Sequence, residues 1–240
     1  AGIKPDCVVL VASARALKMH GGVAKTYLKA ENVGAIKTGL ANLHKHIDNI
    51  RKFGVPVIVA LNRFPDDTEA ELGEIEDFCN EVKVDCSLSE VWEKGGDGGI
   101  DLAQKTINII EKGEKHHFRF LYDNDMSIKA KISTLAVEIY GADGVDYSKN
   151  AMRKIDYLTE KGYGNLPICM AKTQYSLSDD PSLMNTPSGF KISIGDVSLS
   201  AGAGFLVAYA GEIMTMPGLP KKPAALSINV TDDGKITGLF

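Results

Sequence analysis

The sequence predicts an α/β fold of mostly parallel sheets flanked by helices, ending in a β-rich C-terminal segment. In the first two thirds, short β-branched runs such as residues 8–12 and 55–61 alternate with longer stretches of helical periodicity. Between residues 190 and 209, apolar side chains instead recur at alternate positions, as they do in half-buried strands. The chain is therefore expected to be α/β first and β-rich last.

The first elements form one strand–helix–strand unit. Residues 8–12 are predicted as a strand and residues 14–22 as its exit loop. Residues 34–53 carry apolar side chains three and four positions apart, which gives a helix with one apolar face, and Gly54 ends it. Residues 55–61 form the next strand. Because a helix connects the two strands, we expect them to pair in parallel.

A capping box predicts the start of the following helix. Thr68 precedes Glu71 by three residues, so the helix begins after Thr68 and extends to about residue 80. The remaining predicted elements are strands at 82–87 and 167–171, helices at 99–112, 125–140 and 148–161, and a terminal hairpin at Asp232-Asp233-Gly234. We divide the chain into domains at residues 1–62, 63–176 and 177–240.

Composition argues against several classes of function. The formal net charge is −4, from 27 basic and 31 acidic residues, and no basic stripe is interleaved with aromatics, so nucleic-acid binding has no electrostatic basis. No apolar stretch approaches the roughly 18 residues of a membrane span. The four cysteines lack CxxC spacing, and the five histidines lack the spacing of metal ligands. We expect no nucleic-acid, membrane or metal site, and reduced thiols in the cytoplasm.

The most informative segment is the apolar run at residues 57–61, which stops at Asn62 and leads into a loop containing Phe64 and Pro65. Such a run predicts a buried strand that delivers Asn62 and Phe64 to the carboxyl edge of a sheet, where open α/β sheets bind ligands. Trp92, the single tryptophan, is predicted on a second loop, before a glycine cluster that leaves room around the indole. Two aromatics on two loops could sandwich a flat ring.

Phe64 and Trp92 also have a purely structural interpretation, because large aromatic side chains are usually core residues. Their neighbours argue against burial. Phe64 stands between Arg63 and the segment Pro65-Asp66-Asp67, and Trp92 is followed by Glu93-Lys94. We therefore treat both aromatics as candidate ligand contacts.

Several long motifs carry a resemblance to a known family. They are LNRFPDDT at residues 61–68, VWEKGG at 91–96, ALKMHGG at 16–22, YGNLPICMAKTQYSLSDDP at 163–181 and LSAGAGFLVAYAGEIMTMPGLPK at 199–221. Together they resemble formate–tetrahydrofolate ligase, also called formyltetrahydrofolate synthetase, along the whole chain. That family's chains are more than twice as long, so the sequence is similar to its C-terminal part. The resemblance implies a remainder of a P-loop NTPase-like domain followed by a second α/β domain.

The resemblance also implies an activity and its participants. Members join formate to tetrahydrofolate at the expense of ATP, by way of formyl phosphate, to give 10-formyltetrahydrofolate. They use Mg²⁺ and a monovalent cation, K⁺ or NH₄⁺, and are typically homotetramers. The resemblance places Phe64 and Trp92 on either face of the pterin ring, Asn62 near the nucleotide base, and Thr186-Pro187-Ser188 close to adenine. It implies no catalytic residue in this part of the enzyme.

The sequence departs from the family at two of these places. The family form near adenine is closer to Ala-Pro-Thr-Gly than to Thr186-Pro187-Ser188-Gly189, and the family often has Thr where Asp66 stands. No GxxxxGK(S/T) loop occurs in the 240 residues, so we expect the missing N-terminal half to hold the phosphates. The isolated chain is accordingly predicted to be inactive.

Two other functions stay open at this stage. The chain could be a non-catalytic α/β binding or interaction module. A GTPase-like domain is a weaker alternative, because Asn62-Arg63 followed by Asp66 resembles a base-reading Asn-Lys-x-Asp motif with the acid one position late. The roles of Arg15, Lys18 and His20, cations at the exit of the first strand, are also open between an anion contact and solvated side chains.

Overall fold

The computed structural model describes residues 3–112, 118–213 and 221–238. The described residues form two main sheets, each with its own helices and its own buried core, and a small terminal hairpin. This mixed α/β architecture, with strands near the C-terminus, is the one that the sequence predicts.

The first sheet is entirely parallel. Its strands are β1 (Val8–Ala12), β2 (Val57–Asn62) and β3 (Asp85–Ser89), in the order β1-β2-β3. The helices of this region are α1 (Ala14–His20), α2 (Val33–Arg51), α3 (Glu69–Glu81), α4 (Val91–Lys94) and α5 (Ile100–Glu111). The parallel pairing of β1 and β2 confirms the expected strand–helix–strand unit.

Sequence patterns explain why α2 and α3 form where they do. The apolar stripe of α2, at positions such as Ile36, Leu43 and Ile47, is buried in the core of the first sheet. The capping box of α3 is complete, because Thr68 Oγ1 accepts from the Glu71 N–H and the Glu71 carboxylate accepts from the Thr68 N–H, both at 3.3 Å. Two terminal N–H groups of α3 are thus satisfied locally.

Helices α1 and α2 approach each other at two glycines. A Cβ atom at Gly39 would lie 2.1 Å from the carbonyl oxygen of Leu17, and one at Gly21 would lie 2.1 Å from the carbonyl oxygen of Ala35. Only glycine permits backbones to come this close. This contact fixes α1 above the carboxyl end of β1.

The second sheet is mixed. Its strands are β4 (Gly144–Tyr147), β5 (Ile168–Ala171), β6 (Lys191–Ser200) and β7 (Phe205–Ala210), in the order β4-β6-β7-β5. Only β6 and β7 pair antiparallel, whereas β4 with β6 and β5 with β7 are parallel. The core of this sheet also contains residues of α6 (Ile128–Thr134), which continues as a π-helical turn (Leu135–Tyr140), and of α7 (Lys149–Glu160).

Side chains of α2 connect the two regions. Asn49 Nδ2 donates to the carbonyl oxygen of Ile139 at 2.9 Å, and Asn42 Nδ2 donates to that of Asn185 at 2.8 Å. Lys52 Nζ lies 2.7 Å from the Glu138 carboxylate just beyond the end of α2. The hairpin β8 (Asn229–Val230) and β9 (Ile236–Thr237) then closes the described chain around Asp232-Asp233-Gly234, as predicted.

Three local predictions were wrong and one strand was missed. Residues 14–22 are not an exit loop: most of them form α1, which Ser13 caps by accepting from the Ala16 N–H at 3.3 Å. Trp92 lies in the single helical turn of α4 rather than in a loop. The strand predicted at 82–87 runs from 85 to 89, and strand β4 was not predicted. The division into three domains stays a prediction.

Candidate functional site

The carboxyl ends of β2 and β3 place the candidate residues at one edge of the first sheet. Asn62, the last residue of β2, pairs in register with Ser89, the last residue of β3. Phe64 follows two residues after the end of β2, and Trp92 follows three residues after the end of β3. Parallel strands bring their carboxyl ends to the same edge, so the two aromatic residues arise from neighbouring strand ends.

The loop that carries Phe64 is closed by two reciprocal hydrogen bonds. The Phe64 N–H donates to Asp67 Oδ2 at 2.8 Å, and the Asp67 N–H donates to the carbonyl oxygen of Phe64 at 3.0 Å. Asp67 is buried, and burial raises the pKa of its carboxyl group, although the hydrogen bond from Phe64 opposes that shift. The backbone at Phe64 is thereby held in a tight turn.

The Phe64 ring is half-buried and touches a cation from α1. The Arg15 guanidinium carbon lies 4.3 Å from the centroid of the Phe64 ring, and Arg15 Nη2 donates to Asp66 Oδ2 at 2.9 Å. Both groups of this ion pair are about one third exposed. Arg15 therefore contacts the ring of Phe64 and the carboxylate of the same loop together.

The Trp92 indole is exposed but anchored. Its side chain retains 57% exposure, while its Nε1–H donates to the carbonyl oxygen of Arg63 at 3.0 Å, one residue before Phe64. Neither Trp92 nor Phe64 belongs to the buried core clusters of the described chain. An aromatic face that stays in water at a strand end is available to a flat ligand.

Ion pairs join the two aromatic segments on the outside. Arg63 Nη2 lies 2.6 Å from Glu69 and its Nη1 lies 3.8 Å from Glu90, which also pairs with Lys94 at 2.5 Å. The hydrogen bond from Lys94 lowers the pKa of the Glu90 carboxyl group. These exposed pairs contribute orientation more than stability.

The segment Thr186-Pro187-Ser188 is anchored at a different place. Its neighbour Asn185 has a left-handed backbone (φ 63°), donates through N–H to His20 Nδ1 at 2.9 Å, and donates through Nδ2 to the carbonyl oxygen of Thr38 at 2.9 Å. Thr186 and Ser188 are exposed and Pro187 is half-buried. Among the described residues no hydrogen bond joins this segment to Asn62, so the contacts anchor it on α1 and α2.

The three cations at the exit of β1 have three different environments. Lys18 is fully buried, with Nζ 2.8 Å from Glu71 Oε1 and 3.2 Å from the carbonyl oxygen of Ala30. His20 is occupied as the acceptor for the Asn185 N–H, and burial lowers the pKa of its imidazole. Of the three, only Arg15 lies at the aromatic site, the name we give to the edge that carries Phe64 and Trp92. The sequence left the role of Arg15 open. It did not single out Asp67, although the spacing of Asp67 after Phe64 is typical of a side chain that closes a turn.

Neither a cluster of metal-binding side chains nor a membrane-spanning helix is found in the part of the chain that the structure describes. No group of three or more His, Cys, Asp or Glu side chains there could hold an ion, and no helix there is long and apolar enough to cross a membrane.

One comparison bears on this arrangement. A family model described as formate–tetrahydrofolate ligase matches residues 1–240, the full length of the chain.

Proposed function

Because the chain belongs to the formate–tetrahydrofolate ligase family, we propose that its 240 residues bind tetrahydrofolate while that substrate accepts the formyl group. Family membership implies the use of formate, ATP and tetrahydrofolate. It favours this function over a non-catalytic module or a GTPase-like domain. The pterin ring of tetrahydrofolate stacks between Phe64 and Trp92.

The exposed indole of Trp92 is the observation that carries this proposal. Water is a poor environment for an aromatic face of that size, and the indole is held there by its hydrogen bond to Arg63. The same bond joins the indole to the backbone of the segment that carries Phe64. A bound pterin would cover the exposed apolar surface and gain stacking contacts.

The chemistry explains why such a holder is needed. Formate is a poor electrophile, so phosphorylation by ATP converts it to formyl phosphate, a mixed anhydride with a good leaving group. The N10 amine of the folate then attacks the formyl carbon, the C–O bond to phosphate breaks, and the amine loses its proton. A pterin fixed between two rings confines N10 to the few positions that its methylene link to the pterin allows, which reduces the entropic cost of the encounter.

Asn62 and the segment 186–188 are proposed to contact the nucleotide. Asn62 is half-buried at the sheet edge, and the exposed hydroxyl groups of Thr186 and Ser188 could accept or donate at an adenine edge. The hydrogen bonds of Asn185 to α1 and α2 hold that segment in place. Compared with the family form, this segment differs in its hydroxyl-bearing residues, Thr186 and Ser188, and not in its length.

We propose that the activity of the whole enzyme needs residues beyond these 240. Those further residues bind the phosphates, Mg²⁺ and the monovalent cation, and the whole enzyme is a cytoplasmic homotetramer. The isolated 240-residue chain, mixed with formate, MgATP and tetrahydrofolate, should form no 10-formyltetrahydrofolate, because it has no GxxxxGK(S/T) loop. Product is followed as the acid-generated methenyl form. Steady turnover by the homogeneous chain would contradict this expectation.

Alanine substitutions test the aromatic site. In the full-length enzyme, Phe64→Ala and Trp92→Ala should each weaken tetrahydrofolate binding by about 1–3 kcal/mol, by analogy with bases stacked on aromatic side chains, and leave the constants for ATP and formate nearly unchanged. Calorimetric titration and the three KM values measure this.

A matched control and a stability measurement complete the test. Tyr157→Ala removes an aromatic of similar exposure, 55%, from α7 in the second region and should not change folate binding. If Phe64 and Trp92 serve mainly to stabilise the fold instead, each substitution should lower the unfolding free energy, by up to roughly 3–5 kcal/mol, and impair all three substrates together. A lower melting midpoint without a selective loss of folate affinity would refute the aromatic site.

A further inference from the structure

A stacking residue at a binding site must present its ring in one orientation before the ligand arrives. The hydrogen bonds between Phe64 and Asp67 fix the backbone of the loop, but they do not restrict rotation of the ring. What lies on the face of the ring decides its orientation. The described structure shows one cation there, the guanidinium of Arg15.

Arg15 is itself held firmly. It lies in the first turn of α1, between Ala14 and Leu17, which are buried in the core of the first sheet, and Ser13 caps the helix. The guanidinium is planar, so it can lie over the Phe64 ring while one N–H group points to Asp66. Its Nε is buried without a hydrogen-bond partner among the described residues.

We propose that Arg15 is a positioning residue of the folate site, which covers one face of the Phe64 ring and leaves the opposite face for the pterin. Asp66 holds the guanidinium in that place. The layers then follow the order guanidinium, Phe64, pterin, Trp92. This inference rests on the proposed function, because it assumes that the pterin stacks on Phe64.

The charge of Arg15 does not need to reach the ligand for this role. Its nearest anion is Asp66, 2.9 Å away, so the pair is locally neutral. The guanidinium acts through the ring by excluding water and the pterin from one face and by restricting rotation. An Asp at position 66 therefore matters through Arg15, which gives a role to a residue that differs from the usual family form.

A double-mutant cycle tests the proposal in the full-length enzyme. Tetrahydrofolate affinity is measured by anaerobic calorimetry for the wild type, Arg15→Gln, Phe64→Ala and the double variant. We expect Arg15→Gln to weaken binding about 2- to 5-fold, the effect of an exposed cation–π contact. In the Phe64→Ala background, Arg15→Gln should have no further effect, because its target ring is gone.

Further variants separate positioning from a general loss of structure. Arg15→Lys keeps a cation over the ring without the planar fork and should retain part of the affinity, and Asp66→Asn should weaken binding less than Arg15→Gln. The KM for tetrahydrofolate should rise while kcat and the KM for ATP stay near wild-type values. Arg51→Gln is the matched control, because Arg51 likewise pairs with an acid, Asp48, and lies away from the site, where its Nη2 donates to the carbonyl oxygen of Val82.

Each outcome bears on one of the two proposals. If Phe64→Ala leaves tetrahydrofolate affinity unchanged, the aromatic site itself is wrong. If Phe64→Ala weakens binding but Arg15→Gln does not, only the role of Arg15 is refuted. Tighter binding by Arg15→Gln would mean that the guanidinium competes with the pterin for the ring, and an equal loss in both backgrounds would mean that Arg15 does not act through Phe64. Should Arg15→Gln fail to fold, the cycle is run with Arg15→Lys, whose smaller loss of affinity should likewise disappear in the Phe64→Ala background.

Discussion

The two sheet regions bury a lysine in different ways. In the first region, Lys18 meets the Glu71 carboxylate at 2.8 Å, and both side chains are fully buried. In the second, Lys131 is equally buried, but its hydrogen bonds to the described residues go to the carbonyl oxygens of Gly164 and Leu166, at 2.7 and 3.0 Å, and burial lowers its pKa. The first arrangement links helices through opposite charges, whereas the second anchors a loop through neutral acceptors.

The carboxylate of Glu71 connects three helices beneath the aromatic site. It accepts from Lys18 of α1, from the N–H of Asn32 at the start of α2, at 2.8 Å, and from the N–H of Thr68 at the start of α3. Burial alone would raise the pKa of Glu71, but these hydrogen bonds outweigh it and lower the pKa below 4.5. The region that carries Arg15 and Phe64 is thus assembled around one charged group. We therefore expect its stability to be more sensitive to the loss of a buried charge than the stability of the second region.

The largest expected effect is a difference in unfolding free energy between variants that disrupt the surroundings of the two buried lysines. Glu71→Gln leaves the Lys18 ammonium buried beside a neutral amide and should reduce the unfolding free energy by about 3–5 kcal/mol. Lys131→Met removes an ammonium that has no ion pair among the described residues, although Asp125 attracts it, and leaves two carbonyl groups unpaired, so it should cost about 1–3 kcal/mol. Urea denaturation of both variants measures the difference. An equal or larger cost for Lys131→Met would break the comparison.

A smaller effect tests the close approach of α1 and α2 in the first region. Gly39→Ala would place a methyl group against the carbonyl oxygen of Leu17 and should destabilise the protein by about 1–3 kcal/mol through overpacking. Gly73→Ala in α3 is the matched control, because nothing lies within 4 Å of its added Cβ, and it should stabilise by about 0.5–1 kcal/mol. Similar shifts in the two urea midpoints would show that the helices can separate without cost.

The smallest effect is a pH dependence that falls in a different pH range in each region. In the second, burial lowers the pKa of Lys172 to about 8, against the attraction of Asp179, while its ammonium donates to the carbonyl oxygens of Thr173, Ser176 and Ser178. Between pH 8 and 10.5 the unfolded chain binds more protons at this lysine than the folded chain, so its contribution makes stability rise with pH, on the order of 1 kcal/mol. The Glu71 contribution is present above pH 4.5 and is lost as the pH falls through its lowered pKa.

The difference between wild type and Lys172→Met isolates this effect from other groups that titrate at high pH. The wild-type unfolding free energy minus that of Lys172→Met should increase between pH 7.5 and 9.5. A flat difference would mean that the lysine is as well solvated in the folded protein as in the unfolded chain, and a decrease would mean that its charged form is favoured.

Local signals in the sequence were sufficient for much of the first region. The β-branched run of β2, the apolar stripe of α2 and the capping box of Thr68 and Glu71 act between residues at most four positions apart, so each was predicted near its observed place. Helix α1 was missed because it is only seven residues long and follows its strand directly. Strand β4 was missed because it is four residues long, and its pairing with β6 joins positions far apart in the sequence.

The sequence by itself determined that Asn62 and Phe64 stand at the end of a buried strand and that Trp92 stands among polar residues. The tertiary structure alone decided that Arg15 lies over Phe64, that Lys18 turns inward to Glu71, and that Asn185 is anchored on α1 and α2. The physical reason is distance along the chain. Helix caps and amphipathic stripes depend on neighbours within one or two turns, whereas the partner of a charged side chain, here 51 residues away for Arg15 and Asp66, depends on which elements pack together.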